Sequence, residues 1–400
     1  MGEGVYVIGV GQTKFDRFDG TKGRPYIPVH KLGAEAILKA IQDAEKHGPF
    51  DRTKIDYSYC AIVFSGYMQG PGQLALRELG LLGRVPVENV KNACASGTGA
   101  VHEVCQDIAA GLYDIGLAFG MEQLSGRRGA LPLGVGLDPE ATLGMAMTAK
   151  YAMRARRHMF KYGTKIEQLA EVVVQSRDHA SRNPYAMLRD KVSIEDVLSS
   201  RMIADPLTLF QCCPSNDGAA AVILASEKIA KEFENPIKIE TSVLISGNYP
   251  SRPTEGGIES YESLARLMDI LYKKSNLTPK DISFAEVHDA FSIGAIIAVE
   301  CSKFCPKGEG GKFFEEGHTK IDGDKPINPS GGLLSCGHPL GATGVRQVVE
   351  AVWQLRRDPE IKDRQVKDAE IAVTETLGGG VTGMDVAAAG GIILSNRIKW

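Results

Sequence analysis

The sequence predicts an α/β protein built as two similar layered halves. Short continuous apolar runs, read as buried strands, alternate with amphipathic helical stretches along nearly all of the 400 residues. The alternation begins again after residue 235, so 1–235 and 236–400 are expected as two halves. Alternation of this kind packs in layers. Each half is centred on one strand–turn–helix, whose turn carries Cys94 in the first half and His338 in the second.

The elements follow in order. A strand over 5–10 runs into Gly11. A helix over 30–47 has Leu32, Ala36, Leu38, Ile41 and Ala44 as its apolar set. A strand over 60–65, a short helix over 73–81 and a strand over 87–90 lead to Asn92-Ala93-Cys94-Ala95-Ser96-Gly97-Thr98-Gly99. Beyond Cys94 the apolar positions Ala100, Val101, Val104, Cys105, Ile108 and Ala109 recur at helical spacing. A continuous apolar strand is expected over 115–121. From 124 to about 210 the composition changes, with Met and Arg clustered over 145–157. Helices are expected there over 141–161 and 166–182, the second stopped by Asn183-Pro184. This segment reads as an insertion packed over the core. A strand over 219–225 and a helix and turn over 226–235 close the half.

The second half repeats the plan, with strands over 237–246, 284–287, 371–376 and 384–389. Its helices are expected over 260–274, 292–304 and 344–355. Its glycine-rich turns are 328–338 and Gly378-Gly379-Gly380.

Composition narrows the function. Hydrophobic content of 43% and charged content of 24% are those of a water-soluble globular chain. A net charge of −3 offers no basic excess for nucleic acid or an acidic membrane. No apolar run reaches membrane-spanning length, and neither end carries a recognised address. The expected location is the cytoplasm. The 8 cysteines are irregularly spaced, which argues against a disulfide framework. Cys301 and Cys305 look like half a metal site, but no second Cys/His pair follows at ligand spacing, so no metal is expected.

Four stretches could carry chemistry. Cys94 stands at a strand-to-helix turn, where free N–H groups and the helix dipole favour a thiolate. This stretch alone leaves it open between a nucleophile and a buried structural cysteine. His338, in Gly337-His338-Pro339, could take the thiol proton or simply serve a structural turn. His288 in Glu286-Val287-His288-Asp289-Ala290-Phe291 could donate to an oxyanion, with Glu286 or Asp289 orienting a neighbour. The alternative is a cap, with Asp289 opening the next helix. Gly378-Gly379-Gly380 could present backbone donors to an anion or be a plain tight turn.

Taken together, Asn92-Ala93-Cys94-Ala95-Ser96-Gly97, Asn216-Asp217-Gly218-Ala219-Ala220, His288-Asp289-Ala290-Phe291, Asn328-Pro329-Ser330-Gly331-Gly332, Gly337-His338-Pro339 and Gly378-Gly379-Gly380 stand in thiolase order. The chain resembles thiolases of the sterol-carrier-protein-like and archaeal type, acetyl-CoA acetyltransferases among them, over 5–389. The resemblance implies two βαβαβαββ halves in a five-layer α-β-α-β-α arrangement, with a loop domain, here about 124–210, inserted in the first. It implies that Cys94 takes an acyl group from an acyl-CoA and that His338 activates it and helps hold a thioester oxygen. His288 would stand where classical thiolases use an asparagine. The Cys94 N–H and one from Gly379 or Gly380 would form a second oxyanion hole. CoA would be a substrate, with no tightly bound cofactor. A homodimer core is implied, together with a small zinc-ribbon/OB-fold partner subunit found with relatives of this subtype.

The chain departs from the family in one respect. The second cysteine of classical thiolases is absent from Leu377-Gly378-Gly379, and the one some relatives carry in His-Asp-Cys-Phe is Ala290. The expected stand-in is Cys336, nearest to His338 in sequence; His288, or no such group, is the alternative. Met121, Met145, Met147 and Phe210 are candidates for the acyl pocket or for ordinary core. A ketoacyl synthase or hydroxymethylglutaryl-CoA synthase would use the same cysteine, and a CoA-ester-binding subunit without catalysis is a third reading.

Overall fold

One mixed sheet of nine strands crosses the chain in a computed structural model that describes residues 3–65, 69–126, 139–247, 257–380, 385–398 and 400. The first half runs β1 (Val5–Gln12), α1 (Val29–His47), β2 (Tyr57–Ala61), α2 (Pro71–Glu78), β3 (Val87–Val90), α3 (Ser96–Ala109) and β4 (Ile115–Gln123). The insertion holds α4 (Pro139–Thr142), α5 (Met147–Tyr162), α6 (Ile166–Ser181), α7 (Ile194–Ser199) and a hairpin of β5 (Met202–Ala204) and β6 (Leu207–Thr208). β7 (Asp217–Ser226) and α8 (Glu227–Ala230) follow. The second half has β8 (Ile237–Ser246), α9 (Glu262–Ser275), β9 (Phe284–Glu286), α10 (Ser292–Cys301) and α11 (Gly310–Glu315). It ends with α12 (Gly332–Cys336), α13 (Leu340–Arg356), β10 (Ile371–Gly378) and β11 (Ala388–Ser395).

The strand order exposes a repeated plan. The sheet reads β3-β2-β4-β7-β1-β8-β11-β10-β9. From the outer edges inward, β2-β4-β7-β1 corresponds to β9-β10-β11-β8. The directions correspond too: β2 and β4 are parallel, as are β9 and β10, and the remaining pairs are antiparallel in both halves. The counterpart of β3 is a single parallel bridge between Ala285 and Ile327. β1 and β8 join the halves by a short antiparallel pairing of Val5–Val7 with Ile237–Ile239.

Three apolar cores separate the layers. Leu32, Ile37 and Ile41 of α1 pack on Ile8, Phe119 and Ile223. Val101 and Val104 of α3 and Val345, Val348 and Val352 of α13 fill the space between the two half-sheets. Leu264, Leu267 and Leu271 of α9, with Ile293 and Ile297 of α10, cover the outer face of the second half and join the insertion through Leu169 and Val173. The result is the α-β-α-β-α stack, with α3 and α13 in the central layer. α13 lies so close to β4 that a Cβ on Gly120 would fall 2.0 Å from the Gly341 carbonyl oxygen.

Several boundaries differ from those expected. The strand expected over 60–65 ends at Ala61, because the Glu122 carboxylate captures the next amides: Val63 at 2.8 Å, Phe64 at 3.1 Å and Ser65 at 2.8 Å. The helix expected over 141–161 is broken by Gly144, whose φ is +94°. The last strand occupies Ala388–Ser395 rather than 384–389, and residue 384 lies outside the described residues. No helix among the described residues is long and apolar enough to cross a membrane.

Candidate active site

The site forms where α3 and α13 begin. Ahead of α3, Ala93 adopts φ +48°, a left-handed conformation uncommon without glycine. Ser96 ties that turn together: its hydroxyl accepts from the Asn92 amide at 2.7 Å and donates to the Ala93 carbonyl at 2.6 Å. Cys94 is thereby presented to a cavity of about 240 Å³. The amide of Gly379 and its own amide are directed at the sulfur. Burial nevertheless pushes the thiol up to about 12, so the easier ionisation expected of a helix start is outweighed by desolvation.

His338 is set by its neighbours. Gly337 has φ +95°, and a Cβ there would lie 2.0 Å from the side-chain nitrogen of Asn216, which donates to the Cys336 carbonyl at 2.9 Å. Thr343 Oγ1 donates its one proton to the Pro339 carbonyl at 3.0 Å, so at 2.7 Å it accepts from Nδ1 of His338. That fixes the tautomer: Nε2 carries the lone pair. Nε2 has no hydrogen-bond partner among the described residues. Burial and the adjacent His288 hold this imidazole well below its ordinary pKa, so it is neutral and able to accept a proton.

His288 follows β9. Its amide donates to Glu375 at 2.6 Å, and the preceding Val287 amide donates to the Asn328 side chain at 2.6 Å. Its ring meets that of His338 edge-on, with centroids 5.0 Å apart. Desolvation lowers it to about 3, so it too is neutral. The sulfur of Cys94 and one nitrogen from each imidazole lie within 4.8 Å of one another. A soft divalent cation could be held there, at the cost of the Cys94 proton.

Behind these groups lies a buried polar frame. Glu286 accepts from the Ser330 amide at 3.1 Å and hydroxyl at 2.8 Å, and pairs with Arg346 at 3.2 Å. Asp289 does not open α10, whose N-cap is Phe291. Its carboxylate instead caps α12, accepting from the amides of Leu333 at 2.6 Å and Leu334 at 3.4 Å. This holds the 328–338 segment beneath His338.

Residues 5–228 match the model for the thiolase N-terminal domain, and residues 262–390 the model named thiolase C-terminal domain-like. The chain belongs to the thiolase family. It is 41% identical over 382 residues to an acetyl-CoA acetyltransferase of Methanothermobacter thermautotrophicus, covering 94% of this chain and 96% of that one. It is 38% identical over 382 residues to benzoylsuccinyl-CoA thiolase subunit BbsB of Thauera aromatica, covering 94% and 95%. Sterol carrier protein 2 of Homo sapiens is 36% identical over 403 residues, covering 94% of this chain and 70% of that one. A solved chain of an Ltp2-ChsH2(DUF35) aldolase shares the fold, with a TM-score of 0.81 over 98% of both chains at 24% identity. Such relatives make the protein a thiolase-type acyltransferase.

In this thiolase, Cys94, His288, His338, Gly379, Gly380 and Met147 all line the one cavity. Cys336 does not. Its side chain turns away from His338, donating to the Ser330 carbonyl at 3.2 Å beside Arg346. Met121 takes the second of its two expected places, the core: it is buried under α1, where its sulfur would lie 2.6 Å from a Cβ on Gly33. Phe210 packs on the second-half core beneath Arg177, whose guanidinium is 5.2 Å from its ring, and Met145 is no part of the wall.

The sequence reading missed most of that wall. Tyr151 stacks on Phe291 at 4.1 Å, and Arg154 lies 3.9 Å from the ring centre of Tyr261 while donating to the carbonyls of Ile258 and Ser260. It also missed Cys212 and Cys213. The available signal was the Cys212-Cys213 pair just ahead of Asn216-Asp217-Gly218.

Proposed function

We propose that this chain cleaves or forms 3-oxoacyl-CoA through an acyl-Cys94 intermediate. The observation that carries the reading is that Cys94 and a ring nitrogen of His338 come within 4.8 Å in one cavity, while His338 Nε2 has no partner among the described residues. In cleavage, the Cys94 thiol gives its proton to His338 Nε2 as the sulfur adds to C3 of the substrate. The resulting alkoxide is held by the Cys94 amide and one from Gly379 or Gly380. The C2–C3 bond breaks, and its electron pair leaves as a CoA-thioester enolate. The enolate oxygen is held by His288 and by the newly protonated His338, each set of fixed donors contributing about 3 kcal/mol. CoA then takes the acyl group from Cys94. The substrates are CoA and its thioesters, and these steps call on no tightly bound cofactor.

The cavity of about 240 Å³ has room for an acyl group, with the rest of the CoA outside it. One relative is named for acetyl transfer and another for benzoylsuccinyl-CoA, so small acyl and aryl groups are both substrates to try.

The exposed β3 edge supports a homodimer core, since a free strand edge invites pairing. The subunit in the BbsB name supports a heteromeric complex, in which a small zinc-ribbon/OB-fold partner completes the acyl-CoA site. The cytoplasm is the proposed location.

The test is a thiolysis assay with acetoacetyl-CoA and longer or aryl 3-oxoacyl-CoAs, run in both directions. Reversible CoA-dependent cleavage supports the reading. Condensation without cleavage would assign a synthase, and binding without turnover a non-catalytic CoA-ester-binding subunit.

A further inference from the structure

We propose that the Cys213 thiol is the acid and base acting at C2 of the substrate, the carbon between the carbonyls. This rests on the acyl-Cys94 reading and supplies the proton it lacks. Breaking C2–C3 leaves an electron pair at C2 that must be protonated, and Cys336, the thiol expected for it, is outside the cavity.

The position of Cys213 is set by pairing. Its amide donates to the Ala290 carbonyl at 2.9 Å, and Cys212 bridges Phe291 in antiparallel fashion. This lays the 212–213 segment along His288-Asp289-Ala290-Phe291, opposite the strand end that presents His288. Both Cys213 and Ala290 line the cavity with Cys94. Cys213 is within electrostatic reach of Cys94 and Asp289.

Several other proton carriers in the wall are engaged, and His288, whose Nδ1 has no partner among the described residues, is kept for the enolate oxygen. Cys94 holds the acyl group. The Nδ1 proton of His338 is tied to Thr343, and its Nε2 holds the proton from Cys94. The Cys212 thiol donates to the Thr208 carbonyl at 3.4 Å. Asp385 accepts from the Ser263 hydroxyl at 2.6 Å. Cys213 has no side-chain hydrogen bond to another described residue. Burial raises its thiol well above the ordinary value, which keeps it protonated until a carbanion forms.

The steps balance. As C2–C3 breaks, the Cys213 S–H bond breaks, its proton goes to C2 and the sulfur keeps the electron pair. Once the thioester product has left, the proton held on His338 passes to the Cys213 thiolate. Neutral His338 then takes the proton of the incoming CoA thiol as it attacks acyl-Cys94, and returns it to the Cys94 sulfur as that leaves. Condensation is the reverse, with Cys213 thiolate removing the C2 proton.

The test separates the two halves of the reaction in Cys213→Ala and Cys213→Ser. Acetyl transfer from acetyl-CoA to 3′-dephospho-CoA needs Cys94 but no C2 proton. Acetoacetyl-CoA thiolysis, and deuterium uptake at C2 of acetyl-CoA in D2O, need both. The expected result is a loss of about 10²–10⁴-fold in thiolysis and deuterium uptake, with acetyl transfer of the wild-type order; that transfer also reports a folded site. Moving the thiol to its paired neighbour, Ala290→Cys in the Cys213→Ala protein, should restore part of the deuterium uptake. Wild-type thiolysis in both variants, an equal fall of both half-reactions, or loss of deuterium uptake in Tyr151→Phe instead would overturn the assignment. A wild-type protein without acetyl transfer would instead sink the acyl-Cys94 reading, and this inference with it.

Discussion

Gly97 and Gly344 meet backbone to backbone. A Cβ on Gly97 would lie 2.9 Å from the Gly344 amide nitrogen, and one on Gly344 would lie 2.3 Å from that of Thr98. Cys94 stands just ahead of the first helix and His338 just ahead of the second. The absence of two side chains therefore lets a sulfur from one half approach an imidazole from the other.

Gly344→Ala should force α3 and α13 apart. Overpacking at such a contact costs about 1–3 kcal/mol, and a shift of about 1 Å at the reacting groups costs about 10²-fold in rate. Denaturant unfolding and thiolysis kinetics measure the two effects. Unchanged values for both would show that the contact does not position the site.

Thr343→Val keeps the volume of the side chain and removes the acceptor that holds the His338 Nδ1 proton. An unsatisfied buried donor costs about 1–3 kcal/mol, which becomes about ten- to a hundredfold in kcat/KM if it randomises the tautomer. The pH profile should shift with it, since Nε2 is no longer reserved as the base. A fall in stability with kcat/KM intact would make the threonine merely structural.

The resting site should hold a thiol and a neutral imidazole. Burial lifts Cys94 to about 12 and holds His338 well below its usual value. Inactivation by iodoacetamide should therefore keep rising with pH through about 9. A plateau near neutrality would mean a preformed thiolate–imidazolium pair.

Much of this was legible in the sequence. The strand–turn–helix around Cys94 and the Gly-His-Pro turn announce themselves locally, through glycine, proline and apolar spacing, because backbone constraints set both. What stayed hidden depends on tertiary contacts. Cys336 is adjacent to Gly337-His338 along the chain, yet the positive φ of Gly337 sends the two side chains apart. Cys213 lies in a segment without a motif of its own and joins the site only by pairing with Ala290. The early end of β2 is likewise the work of a distant carboxylate, Glu122, and no local pattern records it.

Glu375→Gln should change how stability depends on pH. Burial raises this carboxyl to about 8, and one of its oxygens has no partner among the described residues. A raised folded pKa favours the folded state below the ordinary value of 4.5, and that stability is lost as pH rises through about 8. Between those limits the wild type should lose up to about 1.4 kcal/mol per pH unit relative to the variant. Denaturation curves at several pH values check this, and a pH-independent difference between the two proteins would refute it.

The acylation of Cys94 is tested most directly by mass spectrometry of the protein quenched during incubation with acetoacetyl-CoA and a panel of longer and aryl 3-oxoacyl-CoAs, without added CoA. The expected result is a thioester on the Cys94 peptide that CoA discharges and that Cys94→Ala does not form. An acyl group on another residue, or substrate cleavage that persists in Cys94→Ala, would contradict it.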